Sequence, residues 1–191
     1  MDDASHIHLK VADLRALTLT PRQLCDVELL LNGGFSPLRG FLTQVDYDSV
    51  VESMRLADGT LWPMPVVLDV KEEFVERVGV GREIALYDPE GMLIAILIIN
   101  SLWRPDKQRE ALSVYGTDDL LHPGVRYLFD QTGDIYLGGD LIGVRLPNHY
   151  DFTELRHTPA ALRALFQQRG WERIIAFQTR NPMHRAHYAL T

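Results

Sequence analysis

Met92 to Ile99 is an unbroken apolar run of eight residues, set directly behind the turn-forming Pro89-Glu90-Gly91. Eight residues are short for a helix, and roughly 20 are needed to cross a membrane. No longer apolar run occurs in the 191 residues, so a membrane-spanning helix is excluded and no membrane partner is expected. A strand that is apolar on both faces must be covered on both faces. The run therefore predicts a strand at the centre of the fold. Through its turn it pairs back, as a hairpin, onto Arg82-Glu83-Ile84-Ala85-Leu86-Tyr87-Asp88.

The surroundings fit a β-rich domain. Pro65 to Val70 is rich in β-branched residues, and further strands are expected near Ile135-Tyr136-Leu137 and Leu141 to Leu146, with Gly138-Gly139 as a hairpin turn between them. Helices punctuate the strands. Thr20-Pro21-Arg22-Gln23 carries an N-cap, a proline at N1 and a glutamine placed for a capping box, and its helix runs to about Asn32 and stops at Gly33-Gly34. Thr43 caps a second helix ending near Asp58-Gly59, and a short one lies around Gly124 to Phe129. Many short strands with scattered helices predict a small, partly closed β-barrel over residues 1–150.

The texture changes after Pro147. Thr158-Pro159 repeats the N-cap signature, Ala160 to Arg169 reads as a helix ended by Gly170, and Arg173-Ile174-Ile175-Ala176-Phe177 reads as a buried strand. A polar loop from Gln178 to Met183 then leads into a helix from His184 to Leu190. Helix, strand, loop, helix is the opening of a parallel α/β sheet. A parallel sheet cannot be built from one strand, so residues 151–191 are expected to be the truncated start of a second domain.

Charge follows the same division. The chain is acidic, with a net charge of −7, yet residues 151–191 hold six arginines and three acids. The first 150 residues are therefore strongly acidic, and no nucleic-acid partner is expected, because such affinity comes largely from neutralising phosphates. The basic C-terminal stretch suits a small anion, or else is a solvated helix face. A single cysteine, Cys25, excludes an internal disulfide and fits a reducing compartment. Cys25 itself is expected to be a small, at least half-buried residue of the first helix. Met1 to His6 is acidic with no apolar core of a signal peptide, so a cytoplasmic location is expected.

The residues that carry chemistry cluster in Gln178-Thr179-Arg180-Asn181-Pro182-Met183-His184-Arg185-Ala186-His187. In open α/β sheets the ligand lies beyond the carboxyl ends of the strands, where a following helix offers free N–H groups to an anion. His184 and His187, spaced i, i+3, share a helix face. Spacing alone leaves two other readings open. The pair could be ordinary helix surface, or two ligands of a zinc site, although a catalytic zinc usually takes three protein ligands and no protein-bound metal is expected.

The same ten residues closely resemble the signature of the sulfate adenylyltransferase (ATP sulfurylase) family, whose nucleotidylyltransferase motif ends in His-x-x-His. Leu19 to Phe41 and Tyr136-Leu137-Gly138-Gly139 resemble that family too. The resemblance implies an α+β chain: a PUA-like N-terminal β-barrel domain with helices (1–150), then the start of a Rossmann-like α/β nucleotidylyltransferase domain (151–191). It implies that Gln178 and Arg180 hold sulfate, and that Asn181, His184 and His187 contact the ATP phosphates. The implied reaction turns ATP and sulfate into adenosine 5′-phosphosulfate and pyrophosphate, with Mg²⁺ on the nucleotide. A homo-oligomer is implied, and many bacterial relatives carry a fused adenylylsulfate kinase, a point this sequence leaves open. The family's later glycine-rich stretch, which completes the nucleotide site, is not among these residues. Two alternatives stand beside the enzyme reading: a PUA-like RNA-binding module, and a purely structural or oligomerisation module.

The remaining conspicuous residues read as structure. Gly33-Gly34-Phe35-Ser36-Pro37 lacks the lysine of a phosphate loop and reads as a helix end and turn. His6, His8, His122, His149 and His157 lack partners at metal-ligand spacing. Trp62, Trp103 and Trp171 are expected in core or domain contacts.

Overall fold

A computed structural model describes residues 11 and 13–190. His6 and His8 lie outside the described residues. The chain divides into two compact units, residues 1–151 and 152–191.

The first unit is built on a six-stranded sheet. Its strands are β1 (Arg15–Thr18), β2 (Gly40–Phe41), β3 (Leu68–Val70), β4 (Glu83–Tyr87), β5 (Leu93–Trp103) and β6 (Ile135–Gly143). The order is β1-β4-β5-β6-β2, with β3 pairing a different stretch of β6. Only β1 against β4 is parallel. Among the described residues the hydrogen-bonded path does not return from β2 or β3 to β1, so the barrel is open there.

The expected hairpin is present: β4 pairs antiparallel with β5, Glu83 opposite Ile98 and Leu86 opposite Ala95. Ile94, Ala95, Ile96, Leu97 and Ile99 are all buried, which is why this run is apolar on both faces. Each of the isoleucine and leucine side chains contributes about 1.5–3 kcal/mol when fully buried.

Helix α1 (Pro21–Asn32) starts as its capping box dictates. The Gln23 backbone N–H donates to Thr20 Oγ1 at 3.3 Å, and the Thr20 N–H donates to Gln23 Oε1 at 3.0 Å. Gly33 ends the helix in the left-handed conformation, φ 82°. Gln23, Val27 and Leu30 are its buried positions, at helical spacing. Cys25 lies off that stripe and is exposed, not half-buried as expected. Helix α2 (Gln44–Ser53) is capped by Thr43 and ends at Met54, φ 56°, earlier than the Asp58-Gly59 signal suggests. Short helices α3 (Glu72–Val75) and α4 (Lys107–Glu110), a π-helical turn (Ala111–Tyr115) and α5 (Pro123–Asp130) complete the unit.

Gly138-Gly139 is not a hairpin turn. The two expected strands around it are one strand, β6, which continues through both glycines. Close approach explains them. A Cβ on Gly138 would collide with the Leu42 carbonyl oxygen, and one on Gly139 with that of Ile98. Glycine here lets neighbouring backbones pack against β6 where its pairing with β5 shifts register, between Ile99 and Ser101.

A buried polar cluster lies beneath α2. Tyr47, Trp103 and Tyr136 pack with ring centroids 5.4–5.8 Å apart. Both tyrosine hydroxyls donate to Glu110 Oε2, at 2.9 and 3.1 Å. Burial and the adjacent carboxylate push both phenols above their ordinary value. Trp62 is half-buried against the core, whereas Trp171, in the second unit, is half exposed.

The second unit holds a 3₁₀ turn (Thr153–Leu155), α6 (Pro159–Gln168) and α7 (Arg185–Leu190). Thr158 caps α6 by accepting the Ala161 N–H at 3.2 Å. The Arg173–Phe177 segment is not a buried strand. It has no regular structure and is exposed throughout, Ile175 at 74%. The cause is the missing partner: a strand is held by hydrogen bonds to a neighbour, and among the described residues none pairs with 173–177.

Candidate functional site

The motif occupies the loop between residues 177 and 184 and the first turn of α7. Two local devices shape it. Thr179 Oγ1 accepts the Asn181 N–H at 3.1 Å and donates to the Asn181 carbonyl oxygen at 3.0 Å. This short side-chain turn fixes the backbone that carries Arg180 and Asn181. Further on, the His184 N–H donates to His187 Nδ1 at 3.4 Å, and the two imidazoles stack with centroids 3.8 Å apart. The Tyr188 N–H donates to the His184 carbonyl, which opens the helix. Phe177 sets its ring 5.4 Å from that of His187.

The i, i+3 spacing thus brings His184 and His187 together. Gln178, Arg180, Asn181 and His184 are exposed, and His187 is half-buried. Gln178 and Arg180 stand on the exposed loop ahead of the stacked pair. From residue 173 to 190 the sequence carries Arg173, Arg180 and Arg185 and no carboxylate, so the segment is a cationic, donor-rich loop. Thr179 and Phe177 were not singled out from sequence. A threonine two residues before the asparagine was the available signal for the first.

A metal is a poor fit to this donor set. Between residues 173 and 190 the sequence sets no carboxylate or thiolate beside the two histidines, and among the described residues no three His, Cys, Asp or Glu side chains gather as a metal site. Elsewhere His149 Nε2 lies 2.7 Å from Glu28 Oε1, and His122 caps α5 by accepting the Val125 N–H. In the second unit a depression of about 400 Å³ is lined by Phe166, Trp171 and Ile174 among others. Phe166 stacks on Trp171 there, and Arg169 lies over the indole at 4.9 Å.

Comparison with known proteins decides the family. Residues 2–145 match the model of the PUA-like domain, and residues 153–191 match that of ATP-sulfurylase. The chain belongs to the PUA-like domain family. Downstream of its PUA-like domain it carries the start of an ATP-sulfurylase domain, so the α+β reading holds. The chain is 53% identical over 180 residues to a sulfate adenylyltransferase of Saccharomyces cerevisiae, covering 94% of this chain and 35% of the relative. It is 54% identical over 173 residues to one of Eremothecium gossypii, covering 91% and 34%. The solved structure of a hexameric APS kinase from Thiobacillus denitrificans superposes with a TM-score of 0.76 at 35% identity, over 97% of this chain and 32% of that one. The chain therefore spans about a third of the length of the relatives it matches. No helix among the described residues is long and apolar enough to cross a membrane.

Proposed function

We propose that this chain supplies the PUA-like domain and the anion-binding motif of a sulfate adenylyltransferase, with residues 1–150 as the supporting domain and 151–191 as the start of the catalytic one. What supports the reading is the cationic Gln178–His187 loop, free of carboxylates, in a chain about half identical to enzymes of that name. In the reaction a sulfate oxygen forms a bond to the α-phosphorus of ATP. The bond from that phosphorus to the bridging oxygen breaks, and pyrophosphate leaves with the electron pair. Nothing is oxidised or reduced.

The protein's task is to hold two anions in line and to neutralise charge as it builds. Arg180 presents a planar fork of donors suited to sulfate, and Gln178 adds an amide donor. Asn181, His184 and His187 meet the ATP phosphates. His187 accepts at Nδ1, which leaves Nε2–H as the donor of a neutral ring. Mg²⁺ comes with the nucleotide. The motif carries no carboxylate that would hold the ion, which would supply charge neutralisation on the phosphates.

The setting is cytoplasmic, in keeping with a lone cysteine. The enzyme is a homo-oligomer, the PUA-like domain contributing support and subunit contacts. The similar APS kinase from Thiobacillus denitrificans, a hexamer, is a precedent for such assembly.

The test is a chimera in which residues 1–191 replace the matching third of the yeast relative, assayed for pyrophosphate release from ATP and sulfate. Retained activity that Arg180→Ala lowers, with sulfate demand raised, supports the reading. A folded but inactive chimera, or one indifferent to Arg180→Ala, overturns it.

A further inference from the structure

The chain leaves β6 at Gly143, and the second compact unit begins at Phe152. Residues 144–150 have no helix or strand. A free tether of seven residues has ends about 15 Å apart on average and takes any direction. These residues are not free. The Val144 and Arg145 N–H groups both donate to the Ile94 carbonyl, at 2.9 and 3.1 Å. Pro147 is buried. It has no backbone N–H to satisfy, and it keeps Leu146 out of helical backbone. His149 Nε2 then lies 2.7 Å from Glu28 Oε1 on α1. The Tyr150 hydroxyl donates to Glu90 Oε2 at 2.7 Å, in the turn between β4 and β5.

We infer that residues 144–150 are a strap, latched to the first unit by His149–Glu28 and Tyr150–Glu90, so that bending between the two units is confined to Asp151-Phe152. Neighbouring side chains grip two separate elements, one α1 and the other the β4–β5 turn, which fixes the direction of the strap as well as its position. Both acceptors are carboxylates, and a hydrogen bond to an ionised acceptor is about twice as strong as a neutral one. A carboxylate only accepts, so the His149 proton sits on Nε2. The His149–Glu28 pair is sheltered, its side chains 30% and 23% exposed, and water and salt screen it less than an open ion pair. Tyr150 is 76% exposed, and alone its bond would hold little. With His149 closed beside it, Glu90 is already within reach, and the two latches support each other.

The joint is marked in the backbone. The chain bends at Asp151, and Phe152 has φ 48°, a left-handed conformation that bulky residues rarely adopt. The strap turns the motion of the second unit from drift on a tether into rotation at one joint. Residues 178–187 lie on that unit, so the latches fix the point about which the motif moves, whatever reaction it serves.

Backbone 15N relaxation of the 191-residue chain tests this. Amides of 144–150 are expected to behave like those of β6, with order parameters of about 0.85, and the change to the second unit's tumbling is expected at residues 151–153. Opening both latches, by His149→Ala with Tyr150→Phe, should move that change back to residues 146–148 and bring residues 148–150 below about 0.6. Glu28→Ala with Glu90→Ala removes the same two bonds from the other side and should do the same. Unaltered β6 amides show that the fold is intact; if one pair fails to fold, the other decides. A change already at Leu146 or earlier in the unsubstituted chain, or none anywhere, overturns the strap. A change that stays at 151–153 in either folded pair overturns the latches.

Discussion

The imidazole of His187 takes the backbone N–H of His184 on its Nδ1 while the two rings stack 3.8 Å apart. One ring therefore caps its own helix through Nδ1. Nitrogen-detected NMR of the chain should find neutral His187 as the Nε2–H tautomer. The Nδ1–H tautomer would contradict the geometry. In the chimera, His187→Ala should lower turnover by about 10²–10³-fold, the usual loss for one donor to developing charge.

Arg180 is exposed and caps no element, so Arg180→Ala should leave the unfolding midpoint within about 0.5 kcal/mol. Its expected effect is on sulfate. Losing a charge-assisted contact costs about 1.5–3 kcal/mol, roughly 10- to 150-fold in kcat/KM for sulfate. Kinetics with sulfate varied in the chimera would read it. A large loss of stability with unchanged kinetics would make Arg180 structural.

Sequence and structure agree where local chemistry decides. Thr20, Thr43 and Thr158 each cap the helix assigned to them, because a cap is settled within four residues. The doubly buried β5 was legible because eight apolar residues in a row have one comfortable environment. The misreadings depended on distant partners. Gly138-Gly139 has the composition of a turn, but its reason is the backbone of Leu42 and Ile98 pressing from either side. Arg173–Phe177 has the composition of a strand and, among the described residues, no neighbouring strand to bond to. At the motif, the histidine pair was legible from its spacing, whereas the Thr179 turn and the buried Glu110 cluster depend on contacts that no spacing rule reports.

Gly138→Ala should be among the most damaging single changes in the PUA-like domain. Its new methyl meets backbone, the Leu42 carbonyl, not a side chain that can swing aside. A loss above about 4 kcal/mol is expected, enough to unfold most domains of marginal stability. Gly59→Ala is the control: its added Cβ meets nothing, and only the left-handed backbone opposes it, at about 1–2 kcal/mol. Urea denaturation of the two variants should rank them in that order, and the reverse ranking would refute the close-approach account of β6.

The 191-residue chain itself should fold through its first unit and release no pyrophosphate from ATP and sulfate. The first unit has a sheet of six strands, capped helices and a core containing Leu68, Ile84, Leu86, Leu97, Ile99 and Leu137, each at most 1% exposed. The second has two helices and a segment, 173–177, whose apolar side chains face solvent. In-line transfer needs both anions held to within a fraction of an ångström, and an exposed loop without a sheet behind it does not hold them so. Limited proteolysis should cut between Trp171 and Met183 while leaving residues 13–151 intact, since cleavage follows exposed, irregular backbone. Pyrophosphate release near the rate of the chimera would show that the motif works without a paired strand beneath it, and placing the site beyond the carboxyl end of a sheet strand would then be wrong.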